Sequence, residues 1–224
     1  MRNKNRLIII TGHYGSGKTN VAVNLAMKLS NDGAKVTIVD MDIVNPYFRT
    51  ADSAETLREK GVKCIIPEFA NSNVDLPMLP AEIYSTFNPS ENEVVIYDVG
   101  GDDDGAVALG MYKQYFDKIG YDMWCVCNMY RPLISDPSEA AALISDIQRK
   151  SQLKCTGIIN NSNLSVETTE EVFSDSFGYI NAVSEITGLP VVYQTAFNHI
   201  LSDNENIFHI NNVTKNLYGG QMNE

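Results

Sequence analysis

The chain has 224 residues, 44% of them hydrophobic and 20% charged, an ordinary globular composition that suffices for one substantial core and predicts a single domain over residues 1–224. A net charge of -11 and a pI near 4.7 argue against a surface built for bulk nucleic acid or an anionic membrane, since both need basic patches. No apolar run approaches the roughly 18 residues that span a bilayer, and Met1–Arg6 lacks the apolar region of a signal peptide, so the expectation is a cytoplasmic protein whose four cysteines, Cys64, Cys125, Cys127 and Cys155, are free thiols.

The first element is a run of branched apolar residues, Leu7 to Ile10, read as a buried strand. It leads into Gly12-His-Tyr-Gly15-Ser16-Gly17-Lys18-Thr19, which satisfies the pattern Gly-x-x-x-x-Gly-Lys-Thr of a phosphate-binding loop. At average residue usage the pattern arises by chance in roughly one chain of this length in a hundred. From Thr19 to Leu29 the apolar residues Val21, Ala22, Leu25, Ala26 and Leu29 recur at helical spacing, so strand, loop and helix come in the required order. Glycines let the backbone curl so that successive N–H groups and the positive end of the helix converge on a polyphosphate. Lys18 is expected to reach the β- and γ-phosphates and the Thr19 hydroxyl to ligate Mg²⁺, while Gly12, Gly15, Ser16, Gly17 and Asn20 complete the nucleotide-contacting set. The bland alternative, a glycine-rich turn that binds nothing, requires neither the Lys-Thr pair nor this setting.

Lys35–Val39 is a second strand, introduced by Asn31-Asp32-Gly33 and ending at Asp40-Met41-Asp42 before a turn-like Asn45-Pro46. Carboxylates at the end of a strand beside the phosphate loop are candidates for magnesium and for activating water; helix caps or turn formers are the other reading. Ala51–Gly61 reads as a helix, Val62–Ile66 as a strand, Pro67–Pro80 as a long loop on the ligand side, and Ala81–Phe87 as a short helix. Glu93–Tyr97 is the next strand and ends in Asp98-Val-Gly-Gly101, where a carboxylate can bind magnesium and a glycine can offer its N–H to the γ-phosphate. Asp102, Asp103 and Asp104 read as a solvated segment.

The remaining elements are a helix over Gly105–Ile119, a strand over Asp122–Met129, an alanine-rich helix over Pro137–Lys150 capped by Ser135-Asp136, and a strand over Lys154–Ile159 ending in Asn160-Asn161. A mostly helical stretch, Glu167–Thr187, leads to a last clear strand, Leu189–Tyr193, and an Asn-rich tail from Asn198. About seven strands alternate with helices, and most are unbroken apolar runs. That predicts an α/β fold, a mainly parallel sheet covered on both faces by helices, with every candidate polar residue at its C-terminal edge.

The order of motifs over residues 6–195 resembles the deviant-Walker class of phosphate-loop proteins: the MinD/ParA/Mrp ATPases together with dethiobiotin synthetase and the CobQ/CobB-type ligases. The resemblance implies ATP and Mg²⁺ as cofactors. It makes Asp40 and Asp42 the family's Asp-x-Asp, with Asp42 orienting the attacking water, and Asp98 and Gly101 its Asp-x-x-Gly switch. It likens Gly157-Ile-Ile-Asn160 to the strand whose Asn reads adenine. No Asn-Lys-x-Asp guanine motif follows a late strand. MinD and ParA proteins carry a signature lysine after the first loop glycine, used across a homodimer; here that position is His13, which is shorter and carries no fixed charge.

Three functions follow from these residues. The first is an ATP-binding switch or slow ATPase that signals to a protein partner. The second is an enzyme that phosphorylates a small carboxylate, with Arg131 and the 67–80 loop forming its pocket. The third is a metal-cofactor chaperone, for which Cys125 and Cys127 lie on one face of a strand; their apolar setting favours packing over metal binding.

Overall fold

The computed structural model describes residues 5–42, 50–67, 81–101, 103–200 and 207–213. Asn45-Pro46, nearly all of the 67–80 loop, Asp102 and the end of the Asn-rich tail lie outside the described residues.

Eight strands form one sheet: β1 (Leu7–Gly12), β2 (Lys35–Met41), β3 (Lys63–Ile65), β4 (Glu93–Val99), β5 (Asp122–Cys127), β6 (Gly157–Asn160), β7 (Val191–Phe197) and β8 (Ile207–Ile210). Their order is β3-β2-β4-β1-β5-β6-β7-β8, and each neighbouring pair is parallel. The α-helices among the described residues are α1 (Lys18–Asn31), α2 (Ala54–Glu59), α3 (Asp103–Gly110), α4 (Lys113–Ile119), α5 (Pro137–Ser151) and α6 (Glu170–Thr187). None is long and apolar enough to cross a membrane.

The side-chain period of two along each strand divides the core between two faces. Leu7, Ile9, Val39, Tyr97, Val99 and Met123 pack under α3, α4, α5 and α6. Ile8, Ile10, Ile38, Ile96, Trp124 and Val126 pack under α1 and α2. Because both faces are covered, β1 reads as a continuous apolar run, every residue of it buried. Each fully buried Val, Leu or Ile contributes about 1.5–3 kcal/mol, so the central strands are the most firmly held part of the molecule.

Among the described residues the strand count is eight, where the sequence predicts about seven. Ile207–Ile210 pairs with β7 as an edge strand, and its short alternating pattern amid Asn-rich sequence carries little signal. The expected strand over Lys154–Ile159 begins three residues late, at Gly157, because the preceding amides are taken by other acceptors. Lys154 N donates to the Tyr121 hydroxyl at 2.9 Å, Cys155 N to Gln148 Oε1 at 3.0 Å and Thr156 N to Met123 O at 2.7 Å. The helix expected over Gly105–Ile119 is two, α3 and α4, with Tyr112 N turning back to Leu109 O at 3.1 Å between them. The start of α5 follows its sequence signal: Asp136 caps Ser138 N, Glu139 closes the capping box, and Pro137 occupies the first turn. The helical stretch from Glu167 opens with a 3₁₀ turn, Ser165–Glu167, and α6 starts at Glu170, where the Thr169 side chain accepts from Val172 N.

Candidate nucleotide site

β1 lies between β4 and β5, where the strand order reverses, and the loop after it therefore opens at the crevice where parallel sheets bind ligands. Gly12 closes the strand with φ +142°, and a Cβ there would stand 2.5 Å from Val126 O; only glycine admits that approach to β5. The loop curls back on itself through Ser16 N to His13 O at 3.1 Å. Gly17, left-handed at φ 89°, precedes α1, whose first turn has no side-chain cap. Amide donors and the positive end of a 14-residue helix thus face the loop's concavity. Lys18, 6% exposed, rests its Nζ on His13 O at 3.1 Å.

The carboxylates converge on the same edge. Asp40 and Asp98 are register partners on β2 and β4, and Ile10, two residues before Gly12, is the register partner of Asp98 on β1. Asp40, Asp42 and Asp98 are all buried, and Asp40 Oδ1 accepts from Asp42 N at 3.0 Å. Thr50, in the short 3₁₀ turn Thr50–Ser53, donates its hydroxyl to Asp98 Oδ2 at 3.0 Å. Asp98 Oδ1 is buried with no hydrogen-bond partner among the described residues. Burial pushes the Asp98 carboxyl up to about 6, against the opposing pull of the Thr19 hydroxyl, the Lys18 ammonium and Thr50. A buried carboxylate oxygen without a donor, beside a threonine hydroxyl, is a hard-oxygen set that fits a divalent cation. Gly101 closes the far side: a Cβ there would fall 2.5 Å from both Lys18 Nζ and Tyr14 N, and 2.8 Å from His13 C.

Two residues of the expected nucleotide-contacting set have their side chains bonded to other parts of the chain. The Asn20 side chain turns to the C-terminal segment, where its Oδ1 accepts from Val213 N at 2.9 Å. The Asn160 amide is held between α6 and β7, donating to Ser176 Oγ at 2.7 Å and Gln194 Oε1 at 3.0 Å, while its Oδ1 accepts from Ser162 N. The asparagine on the phosphate loop is the next one, Asn161, which donates to Ser16 O at 2.7 Å, accepts from Thr195 Oγ1 at 2.5 Å, and occupies the space a Gly17 side chain would need. Sequence alone does not separate the two, because the last residue of β6 and the one after it differ only in which way the strand end points. Arg131, expected with the 67–80 loop to form a substrate pocket, donates its Nε to Gly15 O at 2.8 Å on the phosphate loop; nearly all of the 67–80 loop lies outside the described residues.

The cysteines lie elsewhere. Cys125, Cys127 and Cys155 are buried in the core under α5 and α6, and Cys64 is half-buried on β3. The Cys125 thiol and burial raise Cys127, and burial raises Cys155, so both stay protonated. Among the described residues no group of three His, Cys, Asp or Glu is placed to hold a metal ion.

A parallel sheet, a glycine-rich loop on its central strand and carboxylates on β2 and β4 define a nucleotide-binding P-loop NTPase. Residues 2–87 match the family model described as ParA, NUBPL iron-transfer P-loop NTPase. It is 46% identical over 55 residues to the iron-sulfur cluster carrier protein of Escherichia coli K12, covering 25% of this chain and 15% of that one. It is 31% identical over 100 residues to the cytosolic Fe-S cluster assembly factor cfd1 of Emericella nidulans, covering 45% of this chain and 28% of that one. The match thus spans well under a third of these relatives. Similar folds include the signal recognition particle receptor FtsY of Elizabethkingia anophelis in complex with GDP (TM-score 0.53, 15% identity, 86% of this chain, 57% of that one). The signal recognition particle 54 kDa protein of Aeropyrum pernix superposes similarly (TM-score 0.54, 19% identity, 85% of this chain and 41% of that one).

Proposed function

We propose that the chain binds ATP with Mg²⁺ at this loop and works as a slow ATPase or nucleotide switch acting on a protein partner in the cytoplasm. The observation that carries the reading is the buried Asp98 carboxylate, whose Oδ1 has no hydrogen-bond partner among the described residues, with the Thr19 hydroxyl and the Lys18 ammonium beside it. Thr19, Asp98 and Asp40 would hold the cation, which neutralises charge on the β- and γ-phosphates when bound. The loop amides and the α1 N-terminus bind the phosphate chain, Lys18 adds a point charge, and Asp42 orients water for attack on the terminal phosphorus. Gly101 closes on Lys18 and Thr50 leans on Asp98, so a bound terminal phosphate must displace or recruit both segments. α3 starts two residues after Gly101 and exposes Val107, with Met111 exposed just past its end, a surface on which a partner could register that change.

Titration of the purified protein with ATP and GTP, with and without Mg²⁺, followed by phosphate release, tests the proposal. Lys18→Ala is expected to abolish binding, and Asp42→Asn to spare binding but slow hydrolysis. Unchanged ATP affinity in the Lys18 variant would refute the site.

A second reading, a role in iron–sulfur trafficking, is favoured by the description of the family model and the names of the relatives. The cluster would be cargo, and the buried Cys127 and Cys155, held protonated inside the core, do not fit as its ligands. On this reading Cys125→Ser with Cys127→Ser leaves ATP binding intact, and anaerobic incubation with iron and sulfide gives no cluster absorbance dependent on that pair. Absorbance lost in the double variant would reverse the assignment.

A further inference from the structure

The loop after β5, which carries Arg131, is held rigidly. Asn128, buried at the strand's end, accepts from Tyr130 N at its Oδ1 (3.0 Å) and from Arg131 N at its carbonyl (3.1 Å). Ser162 Oγ accepts from Met129 N at 3.0 Å, the Tyr130 hydroxyl donates to Val172 O in α6 at 3.0 Å, and the Tyr179 hydroxyl donates to Ile134 O at 2.6 Å. Within this frame Leu133 is left-handed, with φ 68°, and 71% exposed, a conformation a leucine adopts only where its surroundings impose it. The loop's shape is thus set by its anchors, and it presents Arg131 to the phosphate loop.

Arg131 lies along that loop. Its Nε donates to Gly15 O at 2.8 Å, and its Cδ runs 3.8 Å from where a Cβ on Gly15 would stand. A guanidinium carries its N–H donors in one planar fork, suited to two oxygens of a phosphate at once. Only Nε is engaged; the terminal amino groups make no hydrogen bond or ion pair among the described residues. Lys18, on the loop itself, holds His13 O.

We propose that Arg131 is a second, same-chain cation of the nucleotide site, parked on the Gly15 carbonyl and engaging the terminal phosphate of a bound nucleoside triphosphate. The inference rests on the nucleotide reading given above. A phosphate offers the guanidinium two charged oxygens in a bidentate pair, whereas the neutral Gly15 carbonyl takes a single N–H, so the ligand outcompetes Gly15 O for the fork. In a chain of net charge -11, such a local cation offsets the repulsion a polyanion meets. A mere clamp on the loop would serve ATP and ADP equally, whereas a terminal-phosphate contact favours ATP.

Calorimetric titration of Arg131→Ala, Arg131→Gln and Arg131→Lys with ATP and with ADP, in the presence of Mg²⁺, separates the two, with Lys18→Ala as the site control. Glutamine keeps a donor for Gly15 O and discards the charge. The expected result is an ATP affinity lowered about tenfold in the Ala and Gln variants, ADP affinity changed by less than about threefold, and part of the ATP preference restored by lysine. Equal losses for both nucleotides, a Gln variant that behaves like the unsubstituted protein, or no loss in any variant would overturn the proposal while Lys18→Ala still abolished binding. Normal binding by Lys18→Ala would instead remove the nucleotide reading and this inference with it.

Discussion

Asn161 donates its side-chain amide to the carbonyl of Ser16 at 2.7 Å and thereby ties the end of β6 to the back of the phosphate loop. The same side chain accepts from Thr195 on β7, so the three strands and loops around the expected base position share one amide. Asn161→Ala leaves the buried Ser16 carbonyl without that donor, at about 1–3 kcal/mol, and is expected to weaken ATP binding and lower Tm together. Asn160→Ala removes bonds to Ser176 and Gln194 and is expected to lower Tm with little change in ATP affinity. Thermal unfolding and titration of the two variants side by side check this, and the opposite pattern would restore Asn160 as the base-reading residue.

Gly101 and Gly178 make a matched pair for testing where space matters. Gly101→Ala puts a methyl group 2.5 Å from Lys18 Nζ and Tyr14 N and should abolish ATP binding at a cost in stability of about 1–3 kcal/mol. Gly178, exposed in α6 with nothing within 4 Å of its missing Cβ, should gain about 0.5–1 kcal/mol on substitution by alanine and bind ATP unchanged. Chemical denaturation and titration of both variants provide the comparison.

Asp98 links the metal site to stability. Its carboxyl titrates at about 6 in the folded chain, above the ordinary 3.8, so between those values the folded state holds a proton that the unfolded chain has lost. Stability of the nucleotide-free protein therefore falls, through this group, as pH rises from about 4 to about 6. The full penalty above that range is on the order of 3 kcal/mol, about two units at 1.36 kcal/mol each. Asp98→Asn should raise Tm at pH 7 in the absence of Mg²⁺, converge with the unsubstituted protein near pH 4, and lose Mg²⁺-dependent ATP binding. A variant that melts lower at pH 7 would show the carboxylate to be compensated by its neighbours.

Asn24 holds the C-terminal segment to α1 as a strand partner would: its Nδ2 donates to Asn211 O and its Oδ1 accepts from Asn211 N, both at 2.9 Å. Ser53 reinforces the attachment by donating to Val213 O at 3.1 Å. Asn24→Ala is expected to cost about 1–3 kcal/mol, since it strands two backbone groups of Asn211 at once. Hydrogen exchange should then quicken at the Asn211 and Val213 amides and stay unchanged in β1. Retained protection at Asn211 would show that β8 alone secures the segment.

What the sequence determined by itself is what local patterning can encode. The apolar runs specify parallel strands because a strand covered on both faces shows no alternation, and Gly12 to Thr19 specifies a phosphate loop because only that spacing bends the backbone into a helix start with Lys18 inside it. The cap at Asp136 was likewise legible, since a capping box is a contact between residues three apart. Tertiary structure alone decided what depends on partners distant in sequence. β8 exists because β7 offers an edge, not because Ile207–Ile210 has a strong pattern. The late start of β6 follows from acceptors on Tyr121, Gln148 and Met123. Asn20 faces Val213 across 193 residues, and Asn161 rather than Asn160 meets the phosphate loop across 145. The direction in which a strand-end side chain points is set by the neighbouring strand's register and bulges, such as the shift between Ile158 and Ile159, and no spacing rule within one segment contains that information.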